Sequence, residues 1–155
     1  MLDEAIGKEI GCEKMVGSTA IIGLITMEVD KQVLYTANVG DSQGFIYRNG
    51  GQFAKLSVMH TCRNSKEKER IKKAGGVVFK NRVDGCLAVT RAFGDFAFKS
   101  HGVVAVPSIK RIELRMIHKY IVLASDGIWD VIDAKVTTPN HQLFRRSFLT
   151  AAYVC

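Results

Sequence analysis

The sequence predicts an α+β domain, mostly antiparallel, and three observations carry that prediction. Short β-branched or alternating runs recur along the chain, turn-prone residues separate them, and one sharply delimited helix stands among them. Gly17 to Val29 is small and β-branched, and Leu34 to Val39 resumes that character after a turn around Asp30-Lys31, so the two read as paired strands. Gly44 to Arg48 reads as a third strand. Asn49-Gly50 tolerates positive φ at both positions, the signature of a two-residue hairpin, and Gln52 to Ser57 returns as its partner. Together these runs make a β-meander.

The helix comes next. Asn64 is placed to cap its first turn, Glu67 stands at the spacing from which a carboxylate reaches back to the cap, Glu69 and Lys73 pair at i,i+4, and Gly75 supplies a left-handed stop. Beyond it, Gly76 to Lys80, Cys86 to Thr90, Ile109 to Leu114 and Tyr120 to Ala124 read as short strands, broken by Asp84-Gly85 and Pro107-Ser108. After Ile132 the layout stops: Thr137 to Asn140 is a breaker, and the residues beyond it are expected to form a short terminal helix or a disordered tail. With no internal repeat and no linker, the chain divides into a lead-in over 1–16, a folded region over 17–132 and a divergent tail over 133–155.

Composition narrows the function. The 155 residues suit one domain, and the apolar and charged fractions are those of an ordinary globular protein. The first residues carry acid where a secretory signal carries base. The longest apolar stretch, Ala20 to Val29, is too short and too interrupted to cross a bilayer, so neither export nor a membrane partner is expected. Cys12, Cys62, Cys86 and Cys155 form no C-x-x-C pair, which excludes a zinc-site or dithiol spacing and favours reduced thiols in the cytoplasm or nucleus. The net charge of +7 could draw phosphate-rich partners. Much of it, however, alternates with Glu67 and Glu69 between Lys66 and Lys73 on a solvated helix face, without interleaved aromatics, so nucleic acid is not an expected partner.

Chemistry then falls to carboxylates, which suit hard cations wanting several oxygen ligands. In Ala124-Ser125-Asp126-Gly127-Ile128-Trp129-Asp130 a strand delivers Asp126 to its exposed end, and Asp130 follows at i+4, on the same side if a helical turn begins there. The spacing alone favours an Asp126 that merely caps the turn.

Resemblance separates these readings. Tyr120 to Val131 resembles the late metal-binding motif of the metal-dependent protein serine/threonine phosphatases of type 2C (PPM class). Four further segments resemble the family's motifs in order: Gly17-Ser18-Thr19-Ala20, Ala37 to Ser42, Glu67 to Ile71 running on to Ala74-Gly75-Gly76, and Arg82 to Asp95. The resemblance implies a partial antiparallel β-sandwich flanked by helices. It also implies Mg²⁺ or Mn²⁺ ions whose bridged water attacks a phosphoserine or phosphothreonine phosphorus directly, with no phosphoenzyme. On that basis Asp126 matches an aspartate touching the central metals, and Asp130 matches a ligand of a third, weaker metal. Arg91 is assigned to pinning its loop through neighbouring carbonyls or Asp95, and Asp41 and Asp95 to Gly-Asp turns.

The departures matter as much. The family's early Arg, Glu-Asp pair and Asp-Gly-His segment lie upstream of its Gly-Ser-Thr-Ala strand. Here only Asp3, Glu4, Glu9 and Glu13 precede Gly17, with no arginine. Met59 stands where the family usually has Asp before the residue matching His60, and a thioether is a poor ligand for a hard cation. No closing Asp-Asn follows Ile132. His60, His101, His118 and His141 are dispersed, none at the general-acid position, and Phe93, Phe96 and Phe98 read as core or flap packing. The catalytic residues are therefore unassigned. The expectation is a phosphatase by lineage, incomplete at both ends and inactive or weak as an isolated chain. The alternatives are a pseudophosphatase scaffold and a truncated, nonfunctional fragment. Expected partners are phosphoserine or phosphothreonine proteins or a kinase-pathway component, with association through exposed sheet edges.

Overall fold

The computed structural model describes residues 2–10, 15–134 and 152–153. In chain order the elements begin with α1 (Leu2–Ile10), β1 (Gly17–Ser18), β2 (Ala20–Glu28), β3 (Lys31–Val39), β4 (Gln43–Arg48), β5 (Phe53–Lys55) and α2 (Ser65–Lys73). They continue with β6 (Val78–Phe79), β7 (Arg82–Val83), β8 (Phe93–Gly94), β9 (Ser108–Glu113), β10 (His118–Ala124), α3 (Asp126–Trp129) and β11 (Ala152–Tyr153). Helices with antiparallel sheets make the α+β class expected. The tail expected over 133–155 falls largely outside the described residues.

Contacts divide the chain into two compact units. One takes Met1–Ala20, Asn38–Asp41 and Met59–Ser108. Its lead-in forms α1, which the strand-based reading did not anticipate. Asp3 and Glu4 in the first turn and Lys8 in the last complement the helix dipole. The Asp3 carboxylate then ties α1 down, accepting the Gly94 N–H and pairing with Lys99 Nζ, each at 2.8 Å.

In the same unit α2 forms largely as its sequence dictates. Asn64 is extended and its Oδ1 accepts the Lys66 N–H at 3.1 Å, while Lys73 pairs with Glu69 at 2.8 Å. At the far end Gly75 adopts φ 86°, and the Gly75 and Gly76 N–H groups donate to Lys72 and Ile71 O, so the last carbonyls are satisfied. The inner face buries Ile71 completely among Cys62, Val83, Val89, Ala92, Phe98 and Val103. Glu67 departs from the expected capping box: it turns inward and is 3% exposed. Cys86 to Thr90 is not a strand but holds only isolated bridges, Thr61 to Val89 and Val83 to Leu87. Asp84 and Gly85, both at positive φ, turn the chain back so sharply that Val83 N–H is taken by Leu87 O at 2.8 Å.

The other unit takes Ile21–Ala37, Ser42–Val58 and Ile109–Cys155. It holds two sheets, ordered β2-β3-β9 and β11-β10-β4-β5. Leu34 of β3, Ile46 of β4, Leu56 and Leu114 form one core, with Ile112, Ile121 and Leu123 packed against it, so the sheets share an interior as the sandwich reading expects. The opposite face of the four-stranded sheet buries Phe45, Tyr47 and Val122 against Phe53, Tyr120 and Trp129. β4 is thus buried on both sides, which is why its sequence is apolar without alternation. Burying Ile46 alone contributes about 1.5–3 kcal/mol. β10 pairs antiparallel with β4 from Ala124↔Gln43 to His118↔Arg48, with a bulge between His118 and Tyr120.

Two turns differ from expectation. The β4–β5 connection runs over the four residues 49–52 because Gly50 and Gly51 both take positive φ and Arg48 N–H donates to Gln52 O at 2.7 Å. The β2–β3 hairpin turns at Val29 and Asp30, at φ 43° and 64°, one residue earlier than expected, because Lys31 already belongs to β3.

Candidate metal centre

β10 ends by delivering Ser125 in an extended conformation, and α3 is the single turn after it. The Asp130 N–H donates to Asp126 O at 2.8 Å, which sets the two aspartates one turn apart as their spacing requires. Asp126 Oδ1 accepts the Gly127 N–H at 2.8 Å, so part of its function is to close the turn that carries it. The turn is held from within the unit by Trp129. Its indole N–H lies 2.9 Å from Ala124 O and 3.1 Å from Gln43 O, and its ring meets Phe45 edge-on with centroids 4.9 Å apart. Asp130 and Asp133 border an open cleft of about 450 Å³ with Gln43, Phe45 and Trp129.

Both Asp126 and Asp130 are exposed. Among the described residues no group of three or more His, Cys, Asp or Glu side chains is gathered closely enough to hold a metal ion. Hard divalent cations take about six or more oxygen ligands, supplied jointly by protein and water. Two exposed carboxylates on one turn do not by themselves fit a binuclear metal centre.

His60, Arg91, Glu67 and Asp95, further residues of the motifs, are engaged within the fold. His60 is completely buried, with Nδ1 accepting the Gly40 N–H at 3.1 Å and Nε2 lying 2.7 Å from Ser108 Oγ. That pattern makes Nε2 the protonated nitrogen and the ring neutral. Burial, with the nearby Arg91 charge, lowers its pKa from the usual 6.5 to about 4. Because the folded value is depressed, the neutral ring stabilises the fold fully above pH 6.5, and that contribution is lost as pH falls towards 4. A His60→Gln variant is expected to show a flatter loss of unfolding free energy across this window than the parent in urea titrations, and equal slopes would refute the assignment.

Arg91 behaves largely as expected, with one correction. Nη1 donates to the Val106 carbonyl at 2.7 Å, but its carboxylate partner is Glu67, not Asp95: Nε and Nη2 reach Glu67 at 3.0 and 2.6 Å. Glu67 also receives Thr90 Oγ1 at 2.8 Å and Arg70 at 2.9 Å. Burial alone would raise the Glu67 pKa, but the hydrogen bonds from Arg91, Thr90 and Arg70 prevail and hold it at about 2. Asp95 sits in a left-handed turn as expected, and burial pushes its carboxyl up. Of the other histidines, His101 pairs with Asp84, His118 Nδ1 accepts the Arg115 N–H, and His141 lies outside the described residues. Phe98 is core, as expected.

Three comparisons with known proteins agree. The family model for Protein phosphatase 2C matches residues 4–138. The chain is 43% identical over 115 residues to Protein phosphatase 2C homolog 1 of Saccharomyces cerevisiae, covering 69% of this chain and 40% of that protein. It is 37% identical over 138 residues to Probable protein phosphatase 2C 3 of Paramecium tetraurelia, covering 84% and 42% respectively. A solved structure of a C. elegans sex determining protein superposes with a TM-score of 0.74 at 30% identity, over 85% of this chain and 33% of that one. The serine-threonine phosphatase 2C from Toxoplasma gondii shares the fold, with a TM-score of 0.71 at 21% identity over 85% of this chain and 49% of that one. The chain therefore spans about two fifths of the curated relatives it matches.

Proposed function

The chain belongs to the protein phosphatase 2C family, and from that premise we propose that it descends from phosphoserine and phosphothreonine phosphatases but is inactive or weak by itself. The family is metal-dependent, and Mg²⁺ or Mn²⁺ is the ion its carboxylate chemistry would call for. The observation that carries the proposal is the placement of Asp126 and Asp130, two exposed carboxylates on one turn with no third His, Cys, Asp or Glu gathered to them among the described residues. Two ions a few ångström apart are what would make hydroxide available near neutral pH, and this donor set is too small to hold them.

A second reading, a pseudophosphatase that keeps the fold in order to bind phosphoproteins or a kinase-pathway component in the cytoplasm or nucleus, is favoured by the Glu67–Arg91–Thr90 cluster. That cluster ties this part of the fold together through ion pairs and a hydroxyl hydrogen bond that need no metal. A nonfunctional fragment is the third reading, and it is separated from the second by cooperative unfolding.

The decisive measurement is Mn²⁺-dependent hydrolysis of a phosphothreonine peptide by the purified chain, with Asp126→Ala as the blank. No turnover above that blank is expected, and titration calorimetry with Mn²⁺ should show no saturable site. Turnover that Asp126→Ala abolishes would overturn the proposal.

A further inference from the structure

A second cleft, of about 510 Å³, lies at the start of β10, the strand whose other end carries the aspartate turn. Its walls come from the β2–β3 and β9–β10 turns, both internal to the chain, and from the first residues of the strands that follow them. They bring Lys31, Arg115, His118 and Lys119 together against one lining acid, Asp30. Glu113 engages Lys31 at 3.0 Å and Arg115 at 3.5 Å. Lys119 is exposed and has no ion pair among the described residues.

Two buried donors beside these cations have no acceptor. Arg48 stands opposite His118 in the β4–β10 pair, and by alternation it follows Ile46 on the face where Leu114, another lining residue, packs. Its Nε is shut off from solvent and, alone among the buried side-chain N and O atoms of the described residues, has no hydrogen-bond partner. A buried guanidinium N–H left unpaired is costly, and it calls for an anion or an ordered water. His118 is 7% exposed and its Nδ1 accepts the Arg115 N–H at 3.0 Å, so Nε2 carries the ring proton and is a second donor without a described acceptor. Burial and the charges of Arg48 and Arg115 lower its pKa, the mark of a positive field that Asp30 and Glu113 do not cancel.

We propose that this cleft binds an oxyanion of the phosphate class, free or as the head of a small monoester, through Arg48, His118 and Lys119. Donors on three separate side chains suit a group offering three or more acceptor oxygens, which a carboxylate lacks. The neutral His118 ring serves as it stands, since Nε2 donates without a charge. The seven residues of β10 separate this site from the aspartate turn, and the inference does not depend on whether the chain turns over substrate.

The test is titration calorimetry of the full chain with inorganic phosphate and, separately, with methyl phosphate, in a chelator that removes divalent cations. Saturable binding is expected: of inorganic phosphate if the ligand is the free ion, of methyl phosphate alone if it is an ester head. Lys119→Ala and Arg48→Lys should each weaken it by about tenfold or more. Lys66→Ala, which removes an equal charge from the exposed face of α2, should leave it unchanged. Should Arg48→Lys fail to fold, the His118 ring signals of the parent decide by NMR, since they must shift along the same titration. No saturable binding of either probe, binding that survives Lys119→Ala, equal weakening in Lys66→Ala, or unmoved His118 signals would each overturn it and leave Arg48 Nε to ordered water alone.

Discussion

Glu67→Ala is expected to destabilise the chain by about 3–5 kcal/mol, the cost of removing one partner from a buried ion cluster. The substitution strands Arg91 and Arg70, whose side chains are only 18% and 28% exposed. It also leaves the Thr90 hydroxyl without its acceptor. Glu67→Gln keeps an oxygen for Thr90 but loses the charge, so its cost should be clearly smaller; urea midpoints rank the three proteins. The pH arm comes from linkage. The Glu67 carboxyl titrates near 2 in the fold against an ordinary 4.5, so its contribution is complete above pH 4.5 and disappears as pH falls towards 2. Glu67→Gln should show no such acid loss beyond that of the other carboxylates. Equal stability of parent and Glu67→Ala would mean that the cluster is maintained at no net gain.

The second large effect is expected at Trp129. Trp129→Ala should cost about 3 kcal/mol, the lower end for removing a large aromatic, because the ring is only partly buried. Trp129→Phe keeps a ring against Phe45 but loses the donor shared by Ala124 O and Gln43 O, and should cost about 1 kcal/mol. The informative readout is amide exchange from Asp126 to Ile132, which should accelerate in Trp129→Ala well beyond the change in global stability. Uniform acceleration across the chain would show that the indole supports the core without specifically fixing the aspartate turn.

What the sequence disclosed depended on how locally each feature is determined. The cap at Asn64, the Glu69–Lys73 pair and the stop at Gly75 are settled within one helix, and all three could be read directly. Glu67 looked equally local, since its distance from Asn64 suits a capping box, but the stronger partner, Arg91, arrives only after the chain has folded back. A charged bidentate pair outweighs a cap bond, and no short window contains both members. The strand expected over Cys86 to Thr90 failed for a related reason, because turn geometry at Asp84-Gly85 took its hydrogen bonds first. α1 was missed although Asp3, Glu4 and Lys8 already stood at its charged ends, and its anchor, the Asp3 contact with Gly94 and Lys99, is tertiary. At the candidate site, the turn joining Asp126 and Asp130 was suggested by their i,i+4 spacing. Whether further ligands surround them is a property of the folded chain, which spacing does not encode.

The pairing of β4 with β10 also bears on how the protein is made. Gln43 bonds opposite Ala124, and all of Met59–Ser108 lies between them in sequence. A ribosome therefore releases β4 and its hairpin partner β5 long before β10 exists. For that interval β4 has one bare side, and Phe45 and Tyr47 await the Val122 and Trp129 that will cover them. Nascent chains in this state are the ones that meet each other or a chaperone. The order in which the strands are synthesised, more than the final stability of the sheet, thus sets the period during which this chain is most exposed to misassembly.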